Sequence, residues 1–282
     1  MQYILDDSVR GVKHAGIDDN FTKHSKPMGY YDVDDAYNSK ESFFKKYFFD
    51  YHFGRLEYYD DFLKAHLPKG GDILSVASGR SANELFLMEG GWRVTCSDLD
   101  IIKAYEKTKR LFPGFNYIKL NILEGSAFQN YDSVIALSLI YLFDNRQLVT
   151  FFTNVAKTLR PGGYLILDSA GAPDNTLSFF LHDVYLRCEA FFVRLVKSLA
   201  KGKSPGLIIK HHGYRRTDRE IIETARSLGL ELVTQKNYAF STEFRRSIVF
   251  SKLVKYGSGI DKFFSAIGKK VPYVRMYKFR KE

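Results

Sequence analysis

The sequence predicts a doubly wound α/β protein, and three observations support this fold class. Short runs rich in β-branched and apolar residues alternate with longer amphipathic stretches between residues 72 and 168. Gly, Pro, Asn or Asp residues bound these runs. Strands that alternate with helices pair in parallel through right-handed crossovers. The pattern therefore predicts a mostly parallel sheet that is covered by helices on both faces.

Seven strands are predicted, because seven apolar runs are too short to form helices. Five of them precede a break in the pattern after Asp168, and two follow it. The predicted strands cover residues 72–76, 93–96, 116–120, 132–137, 164–168, 231–238 and 247–254.

Helices are predicted between the strands, where apolar residues recur every three to four positions. These stretches cover residues 81–91, 99–114, 145–163 and 218–228. Ser81, Asp100, Asn145 and Thr217 stand at positions typical of N-caps. Gly90, Gly114, Gly162 and Gly229 follow the helix ends, where a glycine commonly closes a helix.

The chain is divided by the same patterns into a main domain, two helical additions and a tail. Residues 67–256 form the predicted α/β domain, with a helical insertion over 170–213 after the fifth strand. Residues 1–66 form a helical N-terminal extension, and 257–282 form a basic C-terminal tail. An aromatic stripe in the extension favours core packing over a ligand cage; it comprises Phe44, Phe48, Tyr51, Tyr58 and Phe62, with Arg55 in the same register.

Composition excludes several protein classes. The 282 residues carry a net charge of +10 and are 45% hydrophobic, values typical of a globular protein and not of a disordered or fibrous one. No run approaches the roughly 18 apolar residues of a membrane span, and the N-terminus lacks a signal-peptide pattern, so we expect a cytoplasmic protein. Two cysteines without a CxxC spacing predict neither a disulfide framework nor a metal site.

Basic charge is concentrated in the last third of the chain. Residues 193–282 contain 21 basic and 7 acidic side chains, a net charge of +14, whereas the rest of the chain has a net charge of −4. This surplus is consistent with an anionic partner such as nucleic acid, a phosphorylated precursor or a membrane surface, but charge runs of this kind favour a solvated face. The apolar stripe of the insertion is interrupted by charges of both signs, which favours packing within the protein or a homodimer over membrane docking.

The turn after the first strand is the first candidate ligand site. Ligands of doubly wound sheets bind outside the carboxyl ends of the strands, where the strand order reverses. Ala77, Ser78 and Gly79 give this turn small side chains, which let a ligand approach the backbone. Asp98 ends the second strand 19 positions after Gly79, where a carboxylate can accept hydrogen bonds from both hydroxyls of a ribose. The alternative role for Asp98 is to cap the following helix, with Asp100 as its competitor.

Four segments together resemble the class I S-adenosylmethionine-dependent methyltransferases. They are residues 73–81, 94–98, 131–137 and 159–168, the last of which contains the sequence LRPGGYLIL. The resemblance runs from about residue 72 to 254 and implies seven strands with an antiparallel last strand. The chain departs from the family pattern at three positions: Ser75 stands for the usual acid, Ala77 for the first glycine and Ser81 for the third.

The resemblance implies S-adenosylmethionine as the cofactor and assigns expected contacts to it. Asp98 and the turn residues Ala77, Ser78 and Gly79 would bind the nucleoside. Asn121 would accept a hydrogen bond from the adenine amino group, while Ile122 and Leu99 would lie along the two adenine faces. Ser138, after the fourth strand, and Arg55, in the N-terminal extension, complete the expected cofactor contacts.

The implied reaction transfers a methyl group to the oxygen or nitrogen of a small molecule or of a glycan or lipid-linked precursor. Such a transfer requires mainly that the acceptor atom is held close to the methyl group and in line with it. A base is needed only when the acceptor must lose a proton, and His182 and Tyr141 are the candidate catalytic residues. His211 and His212 are further candidates for the base.

Two other classes remain open. Loss of the glycines would also suit a nucleoside-binding module without turnover, and the same strand-helix-strand unit occurs in NAD-dependent oxidoreductases. A nucleic-acid methyltransferase is not favoured, because basic charge alone does not indicate nucleic-acid binding.

Overall fold

The seven strands form one sheet with the predicted topology. The computed structural model describes residues 39–46, 55–125, 130–200, 214–238, 253, 258–267, 270–272 and 274–282. The order of the strands is β3-β2-β1-β4-β5-β7-β6, and β7 is antiparallel to both of its neighbours while the other pairs are parallel. The strands are β1 Asp72–Val76, β2 Arg93–Asp98, β3 Asn116–Lys119, β4 Tyr131–Ala136, β5 Leu159–Ala170, β6 Leu230–Tyr238 and β7 Val274–Lys281.

The helices of the described residues alternate with these strands and flank them. They are α1 Lys40–Lys46, α2 Arg55–His66, α3 Ala82–Glu89, α4 Tyr105–Leu111, α5 Asn145–Thr158, α6 Thr176–Phe179, α7 Leu186–Ala200, α8 Asp218–Arg226 and α9 Gly259–Ile267. A 3-10 turn, Ile140–Leu142, follows β4, and a π-helical segment, Phe180–Tyr185, joins α6 to α7. No helix in the described part of the chain has the length and apolar content needed to cross a bilayer.

The last strand of the sheet is not where the sequence pattern placed it. The predicted strand over 247–254 lies outside the described residues except for Leu253, which is in a turn. The strand between β5 and β6 is instead Val274–Lys281, which was assigned to a basic C-terminal tail, and for these residues that assignment is wrong. Lys and Arg residues are interspersed here with Met276 and Phe279, which are buried. Because of these charged residues, the sequence pattern did not indicate a strand.

Two of the predicted N-caps lie elsewhere. Asp144, not Asn145, caps α5, and its side chain accepts a hydrogen bond from the backbone N–H of Gln147. Asp100 does not cap a helix, because the chain continues in turns after β2 and α4 begins at Tyr105. Thr217 caps α8 as predicted, in a reciprocal pair with Glu220.

Two apolar cores cover the two faces of the sheet, because successive side chains of a strand point to opposite faces. One core holds Ile73 of β1 together with Phe43 and Phe62 from the N-terminal helices. The other holds Leu74 of β1 and Phe151 of α5. Phe62 therefore takes part in core packing as predicted, whereas Phe48 and Tyr51 of the aromatic stripe lie outside the described residues.

Candidate active site at the carboxyl edge of the sheet

The turn between β1 and α3 adopts a strained backbone. Ala77, Gly79 and Ser81 have φ angles of 56°, 53° and 61°, all in the left-handed region. Only glycine adopts this region freely, and each other residue loses about 1–2 kcal/mol there. Ala77 and Ser81 are the positions where the resembling family has glycines, so the backbone of the turn keeps that conformation without them. Non-glycine strain of this kind is concentrated at ligand and active sites.

Side-chain hydroxyls attach the turn to the sheet. Ser78 Oγ donates a hydrogen bond to the backbone oxygen of Ser75 at 3.0 Å and accepts one from the backbone N–H of Ser97 at 3.1 Å. Tyr117 Oη donates to the backbone oxygen of Gly79 at 3.0 Å, in a buried contact. These contacts fix the turn against β2 and β3, and they give Ser78 a structural role in addition to its predicted cofactor contact.

Asp98 lies directly beneath the turn. Its buried carboxylate accepts hydrogen bonds from the backbone N–H groups of Gly79 at 2.9 Å and of Leu99 at 2.7 Å. The helix-capping alternative for Asp98 is wrong, since α4 begins at Tyr105, with Ala104 at its N-cap position. Asp98 instead joins the glycine of the turn to the end of β2, so the two predicted elements of the nucleoside site are in direct contact.

A second carboxylate, which the sequence analysis missed, is buried under the same turn. Ser75 Oγ donates a hydrogen bond to Glu84 Oε1 at 2.6 Å, and both side chains are buried. Burial raises the pKa of Glu84 to about 7, the Ser75 hydrogen bond opposes this shift, and the charge of Asp98 adds to it. Glu84 is in the first turn of α3, nine positions after Ser75, where the sequence pattern indicates only an ordinary helical acid.

The predicted adenine contacts follow β3. Asn121 Oδ1 accepts a hydrogen bond from the backbone N–H of Leu123 at 3.1 Å, and its Nδ2 donates to Glu124 at 2.8 Å. Ile122 is buried in the core on the α5 face, and Leu99 is half-buried. The side chain of Asn121 thus orders the loop itself, and its expected contact with adenine, like those of Ile122 and Leu99, stays a prediction.

A buried polar cluster lies at the carboxyl ends of β4 and β5. Asp168 Oδ1 accepts from the backbone N–H of Ser138 at 2.5 Å, and its Oδ2 accepts from Tyr59 Oη at 2.6 Å. Tyr59 Oη and Ser138 Oγ are 3.0 Å apart and share a further hydrogen bond. Ser138 has a φ of 53°, so this turn is strained like the one after β1. Sequence analysis named Ser138 but missed Asp168 and Tyr59, which come from distant segments.

The remaining predicted residues are only partly described. Tyr141 is half-buried in the 3-10 turn after β4, and its backbone oxygen accepts from the N–H of Tyr214 at 2.6 Å. His182 lies in the π-helical segment and Arg55 begins α2, but their side chains are outside the described part of the structure. His211 and His212 lie outside the described residues altogether.

Comparisons with known proteins identify the fold. Protein-family models gave no match to this chain, and the curated proteins gave none. Among solved structures, the glycopeptide N-methyltransferase MtfA, complexed with S-adenosylhomocysteine, matches with a TM-score of 0.52 at 13% identity, over 80% of this chain and 90% of its own.

Two further solved structures match over similar lengths. The Burkholderia thailandensis 1,6-didemethyltoxoflavin N1-methyltransferase matches with a TM-score of 0.50 at 14% identity, over 88% of this chain and 93% of its own. A Methanosarcina mazei S-adenosylmethionine-dependent methyltransferase matches with a TM-score of 0.50 at 16% identity, over 78% of this chain and 96% of its own. The strand order and these matches confirm the predicted fold class: the chain has the Rossmann-like fold of the class I S-adenosylmethionine-dependent methyltransferases.

Proposed function

We propose that the protein is a methyltransferase that uses S-adenosylmethionine. The observation that carries the proposal is the contact of Asp98 with the backbone of Gly79, beneath a turn held in a left-handed conformation. This contact lies at the carboxyl ends of β1 and β2, beside the point where the strand order reverses between β1 and β4. The shared fold with enzymes crystallised with S-adenosylhomocysteine supports the same conclusion.

The residues around the turn fit an adenosine-bearing ligand. Left-handed φ angles at Ala77 and Gly79 turn the backbone while their small side chains leave it accessible. A carboxylate offers about four acceptor positions, so Asp98 suits the paired hydroxyls of a ribose. We assign Ala77, Ser78, Gly79 and Asp98 to the ribose and its neighbouring atoms, and Leu99, Asn121 and Ile122 to the adenine. When bound, S-adenosylmethionine supplies a methyl group that is already activated by the sulfonium charge.

We assign the acceptor to the other half of the carboxyl edge. There Tyr59 brings α2 to the ends of β4 and β5 by its hydrogen bond to Asp168. Hydrogen bonds join Ser138, Asp168 and Tyr59 in one network, which holds this part of the carboxyl edge rigid. His182 and Tyr141 follow the same two strands, and we retain them as candidates to orient the acceptor or to accept its proton.

For the methyl acceptor we propose a chemical class and no individual molecule. The matched toxoflavin enzyme carries a small molecule, and MtfA is named for a glycopeptide. Both are named as N-methyltransferases, which supports a nitrogen acceptor. An oxygen acceptor and a glycan or lipid-linked precursor stay predictions. A homodimer and a cytoplasmic location stay predictions.

Isothermal titration of the purified protein with S-adenosylmethionine, S-adenosylhomocysteine and NAD tests the cofactor. We expect both adenosyl compounds to bind and NAD not to bind. Replacing Asp98 by Asn removes a charged hydrogen-bond acceptor worth about 1.5–3 kcal/mol, so the affinity for S-adenosylhomocysteine is expected to fall by about ten- to a hundredfold.

Asp100→Asn is the matched control, since Asp100 follows Asp98 by two residues and makes no contact with the turn: it accepts a hydrogen bond from the N–H of Ile101 and forms an exposed ion pair with Lys119 at 3.8 Å. Its affinity is expected to equal that of the unaltered protein. Binding of NAD alone would overturn the proposal in favour of an oxidoreductase. Tight binding of S-adenosylmethionine without any methylated product across a broad panel of acceptors would favour the module without turnover.

A further inference from the structure

The insertion after β5 presents an apolar face to solvent. On α7, Phe192, Val196 and Leu199 are 61%, 64% and 65% exposed, and the Phe191 side chain beside them is also exposed. Val184, Cys188, Phe192, Val196 and Leu199 follow one another at intervals of three or four residues, so they lie along one side of the helix. Of the two sequence-based expectations for this stripe, packing within the protein fails for these side chains, and a homodimer stays a prediction.

A second exposed apolar surface lies on α9. Phe263 of α9 is 61% exposed, and Ile260 on the same helix is also exposed. The segment after α9 is fastened to the start of the insertion, because Asn175 Nδ2 donates to the backbone oxygen of Lys270 and Ser178 Oγ donates to that of Pro272. Exposed apolar side chains of this size and number mark an interaction surface.

The net charge of α7 indicates which kind of partner its apolar side chains contact. Residues 186–200, which form α7, contain three Lys or Arg residues and one acidic residue, Glu189, a net charge of +2. A symmetric dimer through this face would place the segment against its own copy, and like charges would then oppose association. An anionic partner is attracted instead.

Between anionic partners, the apolar side chains favour a bilayer over nucleic acid. Val184, Val196 and Leu199 are aliphatic and cannot stack on bases, whereas binding of single strands depends on stacked aromatic rings. Helices that combine Phe and Leu on one side with nearby Lys and Arg are typical of segments that lie in the interface of an anionic membrane.

We propose that α7 docks on the surface of an anionic lipid bilayer and inserts Phe191, Phe192, Val196 and Leu199 among the lipids. The basic residues of α7 add attraction to the anionic headgroups. The insertion begins at the carboxyl end of β5, so docking holds the candidate site next to the membrane. This inference does not depend on the proposed methyl transfer.

Co-sedimentation of the full chain with vesicles tests the proposal. One set contains phosphatidylglycerol and phosphatidylcholine in equal parts, and the other contains phosphatidylcholine alone. We expect binding to the first set, weaker binding to the second, and a decrease as the salt concentration rises. The double variant Phe192→Glu with Val196→Glu is expected to bind the anionic vesicles at least about tenfold more weakly, because it places charges in the lipid-facing side.

Val233→Glu is the matched control, since Val233 is an equally apolar and exposed residue (52%) on the edge strand β6. It is expected to bind like the unaltered protein, and melting curves of all variants report whether they fold. Failure to bind any vesicle, equal binding to both vesicle types, or unchanged binding by the double variant would overturn the proposal. A concentration-dependent dimer that the double variant abolishes would overturn it in favour of a second copy.

Discussion

The carboxyl edge of the sheet has two halves, which differ in how their residues are distributed along the chain. The cofactor half is the turn 77–81 with Asp98, and the acceptor half is the cluster of Tyr59, Ser138 and Asp168. The hydrogen bond from Gly79 to Asp98 spans 19 residues, whereas the bond from Tyr59 to Asp168 spans 109. One strand-helix-strand unit thus builds the first half, while the second requires the packing of α2 against the assembled sheet.

The two halves share a strained turn but stabilise it differently. Ala77 and Ser138 both have left-handed φ angles without being glycine. Only Ser138 is held by a side-chain network, in which Asp168 accepts its N–H and Tyr59 shares its hydroxyl. Side chains of the same strand-helix-strand unit and of the adjacent β3, namely Ser78, Asp98 and Tyr117, hold the cofactor turn, whereas the acceptor turn depends on a contact across 109 residues.

The largest expected effect comes from removing the centre of the acceptor half. Asp168→Ala leaves the N–H of Ser138 and the hydroxyl of Tyr59 without their buried acceptor. Each unpaired donor costs about 1–3 kcal/mol, so we expect the free energy of unfolding to fall by about 2–6 kcal/mol in urea titrations. The affinity for S-adenosylhomocysteine is expected to stay within about twofold, because the halves are independent.

Asp168→Asn is the control, since it keeps an acceptor oxygen and is expected to lose less stability than the alanine variant. If Asp168→Ala weakens cofactor binding as far as Asp98→Asn does, the two halves act as one unit and the comparison fails.

The next effect concerns the pH dependence of the cofactor half. The pKa of Glu84 is raised from 4.5 to about 7 by burial, so the folded protein retains a proton there that the unfolded chain releases. This bound proton stabilises the folded protein fully when the pH is below the pKa of Glu84 in the unfolded chain. The stabilisation is lost as the pH rises through the pKa of Glu84 in the folded protein. The loss is about 3 kcal/mol between pH 4.5 and 7.

Glu84→Gln is expected to remove this slope from urea titrations at a series of pH values, and to be more stable than the unaltered protein at pH 8. Glu89→Gln, an exposed position on the same helix, controls for the loss of a charge and should keep the slope. A slope that is unchanged in Glu84→Gln would show that another group carries the proton.

The sequence predicts the cofactor half well because its signals are local. Small residues in the turn and an acid at the end of β2 belong to one unit, and hydrophobic periodicity places both. The burial of Glu84 could not be predicted from the sequence, because an acid in the first turn of a helix is common. Only the fold brings Glu84 against Ser75.

The acceptor half and the last strand could not be predicted in the same way. In the sequence, Tyr59 is an aromatic residue that lies next to the helical stripe without belonging to it, and Asp168 is the last residue of a predicted strand. Their contact depends on how α2 packs on the sheet, which no local pattern encodes. The strand β7 was missed because its alternating Lys and Arg residues resemble a solvated tail, although Met276 and Phe279 between them enter the two cores.

A smaller effect is expected from adding one methyl group to the turn. Gly79→Ala must adopt a φ of 53°, which costs about 1–2 kcal/mol of stability. The new methyl group also lies where the backbone must be approached by the ligand, so binding of S-adenosylhomocysteine should weaken. Gly91→Ala is the control, because Gly91 has a φ of 90° with no atom within 4 Å of the added carbon and lies before β2, outside the site. It should lose stability without losing affinity, and equal losses of affinity in both variants would contradict this placement of the ligand.

The smallest expected effect is the difference in stability between glycine variants of the two strained turns. Ala77→Gly relieves about 1–2 kcal/mol of backbone strain and adds about 0.5–1 kcal/mol of unfolded-chain entropy, so we expect a gain in stability of no more than about 1 kcal/mol. Ser138→Gly relieves the same strain but loses the hydrogen bond to Tyr59, which contributes about 1 kcal/mol, and the net change should be close to zero or unfavourable. Urea titrations of both variants measure the difference. If Ser138→Gly proves the more stabilising, the hydroxyl network does not support the turn after β4, and the contrast between a local and a long-range solution to the same strain is wrong.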